Sequence, residues 1–320
     1  MKEEKTLSVV IPAYNEEEMV RKAYTTIEAI LSEAGIPHAF VFVDDGSKDK
    51  TWEIIESLAS ENDNVTGVRF SRNFGKESAI NAGLSCVGEK LTGGCCAVID
   101  CDLQHPAETL VEMYRLWLDG YEVIEGVKHD RGRENLLHKF SAVTFYAAMN
   151  QITGFDFKRA SDFKLLDEKA VRAILSMREK HAFFRALSSW VGFKTTQIEF
   201  DVREREAGES KWSIRSLIRY AIRNLTSFTT APMQIVTVLG GITSVGAVVF
   251  GIVALVRRIM GAAFDGWALL LFFQLLTSGI LMIALGLIGL YIAKIYEEVR
   301  DRPKYIIADT CGKTDQTTER

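Results

Sequence analysis

The chain has 320 residues, 48% hydrophobic and 25% charged, with a formal net charge of -4. That is enough apolar material for a sizeable core, and it excludes a chain that is disordered throughout. The charge is unevenly spread: residues 1–229 hold 30 Lys or Arg against 35 Asp or Glu, whereas 231–256 and 266–293 hold none.

TLSVVIPAYNEE, from Thr6, reads as a short β-branched strand ended by Pro12, with a helix following from about Glu17 to Glu33. AFVFVDDGSKDK, from Ala39, repeats the pattern: a buried strand reaches Asp44 and Asp45, and Gly46 and Ser47 turn the chain toward another helix. VTGVRFSRNFGKESAINAGL supplies a third strand, loop and helix. CCAVIDCDLQHP carries a fourth apolar run into an acidic turn before Pro106. ETLVEMYRLWLDG has helical spacing of Leu110, Met113, Leu116 and Trp117, and YEVIEGVKH is the next strand. Alternating strands and helices predict an open α/β sheet whose ligands bind beyond the strand ends.

Residues 131–190 resist division and, having no Pro/Gly/Ser-rich linker, stay with the same domain. WVGFKTTQIEFDVREREAGESKWS predicts strands and a charged loop. KWSIRSLIRYAIRNLTSF then places Arg215, Arg219 and Arg223 among apolar residues, the pattern of a helix lying at a membrane interface. The two uncharged stretches would form helices of roughly 39 and 42 Å, against a hydrocarbon core of about 30 Å. With RRIMGAAFDG between them they are expected to form a two-span hairpin. Basic residues before the first span (Lys211, Arg215, Arg219, Arg223) and after the second (Lys294, Arg300, Arg302, Lys304) favour cytoplasmic termini, and Arg257 and Arg258 in the linker weigh against that. The expected division is a domain over 1–210, an interfacial segment over 211–229, the hairpin over 230–293 and a polar tail over 294–320.

The five cysteines, Cys86, Cys95, Cys96, Cys101 and Cys311, show no paired zinc or redox spacing and read as small buried residues. The acidic first part, lacking a basic-aromatic surface, argues against nucleic acid as a partner. No cleavable signal peptide is evident in MKEEKTLSVVIPAYNEEE.

Asp100 and Asp102, two positions apart after a strand, suit a divalent cation that could bridge the phosphates of a nucleotide-sugar; a solvated turn explains the same letters. Asp44 and Asp45 read as nucleotide recognition or local turn capping. Pro12, Tyr14 and Glu16 sit at the neighbouring strand end, with turn restriction, packing and solvation as their plain roles. Asp162, in ASDFKLL, is a candidate for orienting or activating an acceptor, or a helix cap. Arg203, Arg205 and Lys211 can clamp phosphates or belong to a solvated loop; Arg131 and Arg133 share that ambiguity, and Arg72 and Lys76 are further phosphate candidates. His105 reads as part of the QHP turn rather than as a metal ligand.

In order along the chain, VVIPAYNEE, VFVDDGSKDKT, RNFGKESAINAGL, VIDCDLQHP, ASDFKLL, SWVGF and REREAGESKWS, followed by the two-span end, resemble a membrane-attached family 2 glycosyltransferase. The similarity is to the polyprenyl-phosphate group that includes bactoprenol glucosyltransferases and dolichyl-phosphate mannose synthases. The resemblance implies a GT-A nucleotide-sugar transferase domain, with Asp44 and Asp45 in the nucleotide region. Asp100 and Asp102 would hold Mg2+ or Mn2+, and Asp162 would match the acidic acceptor-site motif. Arg205 and Lys211 would match positions that engage phosphates. Cys101 stands where the family often has Ala, without removing a ligand. The implied reaction is inverting transfer of one hexose, glucose by subgroup similarity, from a nucleotide diphosphate-sugar to polyprenyl phosphate. In that reading Pro12, Tyr14, Glu16 and Lys76 belong to the donor site, while Arg131, Arg133 and Arg203 join the acceptor phosphate site. The enzyme would work at the inner or plasma membrane, among membrane lipids, with its catalytic domain in the cytoplasm. The absence of QxxRW disfavours the alternative of a glycan-extending synthase, and an inactive membrane scaffold is the remaining alternative. Gly240, Gly241, Gly246 and Gly251 permit close helix contact within one subunit or in a homo-oligomer.

Overall fold

Short β-branched runs, too short for core helices, build the centre of the molecule. The computed structural model describes residues 5–88, 91–128, 161–177, 184–201, 231–260, 266–300 and 302–312. Its strands are β1 (Leu7–Ala13), β2 (His38–Asp44), β3 (Val65–Phe70), β4 (Cys95–Val98), β5 (Val123–Lys128), β6 (Lys164–Asp167), β7 (Thr195–Phe200) and β8 (Ile307–Cys311). They form one mixed sheet in the order β7-β5-β6-β4-β1-β2-β3-β8. β1 pairs in parallel with both β2 and β4, so the chain winds outward through β2 and β3 and then returns to the other side of β1. This reversal opens a crevice beyond the carboxyl ends of β1 and β4, where open α/β sheets bind ligands.

Alternation along β1 feeds two cores: Leu7, Val9 and Ile11 enter one, and Val10 the other. Helices α1 (Val20–Glu33), α2 (Thr51–Glu61) and α4 (Glu108–Leu118) supply the first. The second takes α3 (Lys76–Gly88), α5 (Glu168–Ser176) and α6 (Phe184–Trp190). In α1 the buried residues Val20, Ala23, Tyr24, Ile27 and Leu31 follow helical spacing. A fully buried side chain of this size contributes about 1.5–3 kcal/mol. α3 lies so close on β1 that a Cβ at Gly83 would collide with Val10.

α1 begins at Val20 rather than near Glu17; the residues before it form a turn whose Glu16 and Glu17 amides donate to Thr51 Oγ1 and Asp49 Oδ2. The expected polar tail over 294–320 is corrected. Ile307–Cys311 pairs antiparallel with β3, Tyr305 stacks on Phe70 with ring centroids 5.0 Å apart, and Ser71 N–H donates to the Ile306 carbonyl. Asp162 caps no helix, since it precedes β6; the cap of α5 is Asp167, whose side chain accepts the Lys169 amide.

The strands and α1–α6 belong to one unit, and a second unit holds α7 (Ala231–Ile259) and α8 (Trp267–Val299). Within them Val236–Arg257 and Phe273–Tyr296 are long and apolar enough to cross a membrane. Val248, Ile252, Leu275 and Leu285 are exposed, so the apolar surface of these helices suits lipid and not water. Phe250 and Phe273 pack α7 against α8 at 5.3 Å, and the Thr243, Ser244 and Thr277 hydroxyls donate back to carbonyls of their own helices. Arg257 and Arg258 fall in the last turn of α7 rather than in the connection. The expected interfacial helix of KWSIRSLIRYAIRNLTSF lies outside the described residues, as do Arg131, Arg133, Arg203, Arg205 and Lys211.

Candidate active site

Four strand ends meet at the crevice. A cleft of about 390 Å³ is lined by Pro12, Ala13, Tyr14 and Glu16 at and beyond the end of β1, Asp45 after β2, Asn73, Gly75, Lys76 and Ala79 around the start of α3, and Asp100, Cys101 and Asp102 after β4. Pro12, Tyr14, Glu16, Asp45, Lys76, Asp100 and Asp102, all singled out from sequence, are thereby brought together.

The first two loops brace each other. Asn15 adopts a left-handed backbone with φ 54°; its amide donates to Ser47 Oγ at 2.9 Å, and its side-chain oxygen accepts the Lys48 amide at 3.0 Å. The Asp45 amide donates to the Ala13 carbonyl. Asp44 does not line the cleft. It is fully buried, with one oxygen accepting the Ser47 amide and the other 3.5 Å from Arg69 Nε. Asp45 turns its carboxylate on the next loop, accepting the amides of Phe74 at 2.7 Å and Gly75 at 2.9 Å. Burial pushes its pKa up against those two hydrogen bonds. Gly46 has φ 70°, and a Cβ there would run into the backbone of Arg72 and Asn73. The turn therefore needs glycine twice over, by conformation and by space.

Asp45 thus fixes the residues just before Lys76, whose ammonium donates at 2.6 Å to Asp100 Oδ1 and at 2.8 Å to Asp162 Oδ2. Burial disfavours the Lys76 charge, but the two aspartates outweigh it and hold the ammonium's pKa above its ordinary value. Arg185, in α6, grips Asp162 at both oxygens, with Nε at 2.6 Å and Nη2 at 2.9 Å. Burial of Asp162 is opposed by Arg185 and Lys76, which keep the carboxyl well below the usual carboxylate range. Such doubly engaged carboxylates orient cations instead of taking protons.

Asp102 accepts the Gln104 amide at 3.1 Å, bending the turn where Leu103 has φ 54°. This turn swings His105 back: Asp100, Asp102 and His105 each offer a ligand atom within 4.8 Å of the others. His105, read from sequence as part of the QHP turn rather than as a ligand, therefore also stands close enough to Asp100 and Asp102 to offer a third donor. Its ring is wedged between Phe163 at 5.0 Å and Phe200 at 5.2 Å. Those contacts come from residues 58 or more positions along the chain, so local spacing gave no sign of them. Two carboxylates and one imidazole make a donor set that accepts Mn2+ or Mg2+, the nitrogen favouring Mn2+. Cys101 points into the core between them, and burial raises its thiol pKa. Cys95 and Cys96 are also buried, and all five cysteines are free thiols.

Arg185 was not read from sequence. HAFFRALSSW looks like an apolar helix with one surface cation, and its partner is 23 residues upstream.

Comparison with known proteins agrees with this arrangement. The sequence pattern of glycosyl transferase family 2 matches residues 8–175. The chain is 36% identical to the uncharacterized glycosyltransferase YkcC of Bacillus subtilis, over 95% of this chain and 94% of that protein. It is 35% identical to the prophage bactoprenol glucosyl transferase homolog of Escherichia coli, over 94% and 98%. With the SfII prophage-derived bactoprenol glucosyl transferase of Shigella flexneri it shares 33% identity, over 94% and 97%. With these relatives and a family pattern over more than half its length, the chain belongs to glycosyltransferase family 2, and its mixed α/β sheet is that of a GT-A domain.

Proposed function

We propose that this glycosyltransferase moves one hexose, glucose by similarity to the bactoprenol enzymes, from a nucleotide diphosphate-sugar to polyprenyl phosphate, with inversion at the anomeric carbon. The observation that carries the proposal is one chain holding both a carboxylate-lined cleft at the sheet's switch point and two helices long enough to span a bilayer. A diphosphate is repelled by Glu16, Asp45, Asp100 and Asp102 unless a cation stands between, and Asp100, Asp102 and His105 are the residues that would hold one. A Mn2+ or Mg2+ held there would supply charge neutralisation for the departing diphosphate.

Lys76 adds a fixed positive charge beside Asp100, in a place to oppose charge developing on the leaving group. Asp162 acts by position: it holds Lys76 and Arg185 in register. A phosphate acceptor needs little help from a general base, because its second pKa is about 6 and it is largely dianionic at neutral pH. Its oxygen attacks the anomeric carbon opposite the diphosphate, the C–O bond to the donor breaks with its electron pair, and no covalent enzyme intermediate forms. Asp44 and Asp45 are assigned to the nucleotide region, the first by bracing the turn and the second by lining the cleft. Arg131, Arg133, Arg203, Arg205 and Lys211 are proposed to engage the acceptor phosphate or the diphosphate.

The proposed topology has two spans, with the catalytic domain and both termini in the cytoplasm. β8 supports the even number of spans and the shared side, because this strand follows the second span and pairs with β3, which precedes the first; the cytoplasmic side rests on the proposed function. An even number of crossings separates them.

The test is transfer by the full-length protein in nanodiscs, with UDP- and GDP-hexoses, undecaprenyl phosphate and Mg2+ or Mn2+. A β-linked monophosphosugar formed from an α-linked donor is the expected product. No sugar-lipid across that screen would sink the assignment.

A further inference from the structure

Lys164 is fully buried in β6, and the proposed reaction gives it no task. Its ammonium meets three acceptors: Glu125 Oε1 at 2.5 Å, Ser188 Oγ at 2.6 Å and the Arg185 carbonyl at 3.4 Å. Glu125 stands directly across the β5–β6 ladder and also accepts Gln197 Nε2 from β7 at 3.4 Å. The other two acceptors belong to α6. Lys164 therefore ties α6 to the middle of the sheet.

A charge in this place is a poor way to gain stability. Taking an ammonium and a carboxylate out of water costs several kcal/mol, and a well-packed apolar pair of equal volume often serves as well or better. What the ion pair supplies is directionality. Lys164 fixes the backbone of Arg185 from one side, while two residues upstream Asp162 receives the guanidinium of the same arginine through two hydrogen bonds. The Phe184 amide, at the start of α6, donates to Glu77 in α3 at 2.9 Å. From Asp162 the chain of contacts passes through Lys76 to Asp100 at the acidic turn.

We infer that Lys164 is a positioning residue for transfer: anchored by Glu125, it sets α6 so that Arg185 holds Asp162, and through it Lys76, at the distance from Asp100 that the reaction requires. This rests on the proposed hexosyl transfer. It assigns Lys164 no contact with substrate.

The test uses full-length protein in nanodiscs, comparing Lys164→Met with Glu125→Gln, the same pair combined, Lys164→Arg and Ser188→Ala. Each is measured for melting temperature, kcat, donor KM and hydrogen exchange of the α6 amides. The combined variant removes both buried charges. It is expected to melt within a few degrees of wild type while kcat falls by about 30-fold or more, donor KM moves by less than about threefold, and α6 amides exchange about tenfold faster than those of wild type. Arg at this position keeps several donors in reach and is expected to restore kcat to within about fivefold. A folded combined variant with wild-type kcat and wild-type α6 protection would overturn the inference. So would Lys164→Arg losing as much turnover as Lys164→Met without losing stability. If the combined variant does not fold, Ser188→Ala decides: kcat about threefold lower with faster α6 exchange supports the role, and no change in either refutes it. Inactive wild-type protein would refute the transfer assignment alone, because α6 exchange still reports whether Lys164 orders this helix.

Discussion

Four aspartates that look alike in sequence are set to different work by what meets their oxygens. Asp45 spends its carboxylate on the Phe74 and Gly75 amides, Asp162 on Arg185 and Lys76, while Asp100 and Asp102 share a turn with His105. Replacing Asp100 with Asn removes a proposed ligand charge, and Mn2+ affinity, read by isothermal titration without donor, should fall by tenfold or more; kcat should fall by about 10²–10³. Asp45→Asn should leave Mn2+ affinity within about threefold and still lower turnover, because the loop carrying Lys76 loses an acceptor. If Asp45→Asn weakens Mn2+ as much as Asp100→Asn does, the separation of roles is wrong. Gly46→Ala tests the turn itself. The φ of 70° and the backbone of Arg72 and Asn73 leave no room for a methyl group, so about 2 kcal/mol of stability should be lost, a drop of roughly 4–8 °C in melting temperature.

At the level of elements, α6 and β8 are the pieces that local pattern does not reveal. Strands β1 to β4 announce themselves as short, mainly apolar runs that each lead into a polar turn, and these strand ends and turns carry the cleft residues the sequence singled out. The sheet's parallel half and most of the cleft were readable for that reason. β8 was not, because IADTC is short, follows a membrane span and finds its partner β3 some 240 residues earlier. Arg185, His105 and the Lys164–Glu125 pair were hidden for the same reason: their partners are remote in sequence. Removing residues 302–320 should bare the edge of β3 and speed exchange of the amides over 67–70 by tenfold or more. Unchanged protection would make β8 an ornament. Glu77, which accepts the first α6 amide, gives the same region a pH dependence. Burial, with the charge of Asp162 beside it and Arg185 and Lys76 opposing, raises its carboxyl from 4.5 to about 7. The folded state therefore binds this proton more tightly than the unfolded chain. Its contribution is complete below pH 4.5 and is lost as the pH rises through 7, by about 2 kcal/mol after allowing for screening. Glu77→Gln still accepts the Phe184 amide and should flatten that decline, measured as melting temperature from pH 5 to 8. A slope equal to that of wild type would exclude Glu77 as its source.

For the whole chain, the average composition conceals two solvents. One unit buries its apolar residues within a sheet and helices, whereas α7 and α8 expose theirs, as water would not allow at this scale. Placing a phosphorylated polyprenyl acceptor and a soluble nucleotide-sugar in one reaction requires both, and β8 limits how the chain can be threaded. A strand that comes after both spans cannot pair with β3 if the spans leave it on the opposite side of the bilayer. The positive charges near the spans do not decide the matter alone, because Arg257 and Arg258 close α7 at the end opposite the other basic clusters. The pairing of β8 keeps it on the side of β3, and with the proposed cytoplasmic orientation this predicts a definite labelling pattern. In a background with Cys86→Ser and Cys311→Ser, Ala263→Cys between the spans should react with a membrane-impermeant maleimide in intact cells. Thr317→Cys, beyond β8, should react only once the membrane is opened. Labelling of Thr317→Cys in intact cells would place β8 outside and overturn the cytoplasmic orientation; if Ala263→Cys labels in intact cells as well, the two sites share one side and the hairpin falls with it.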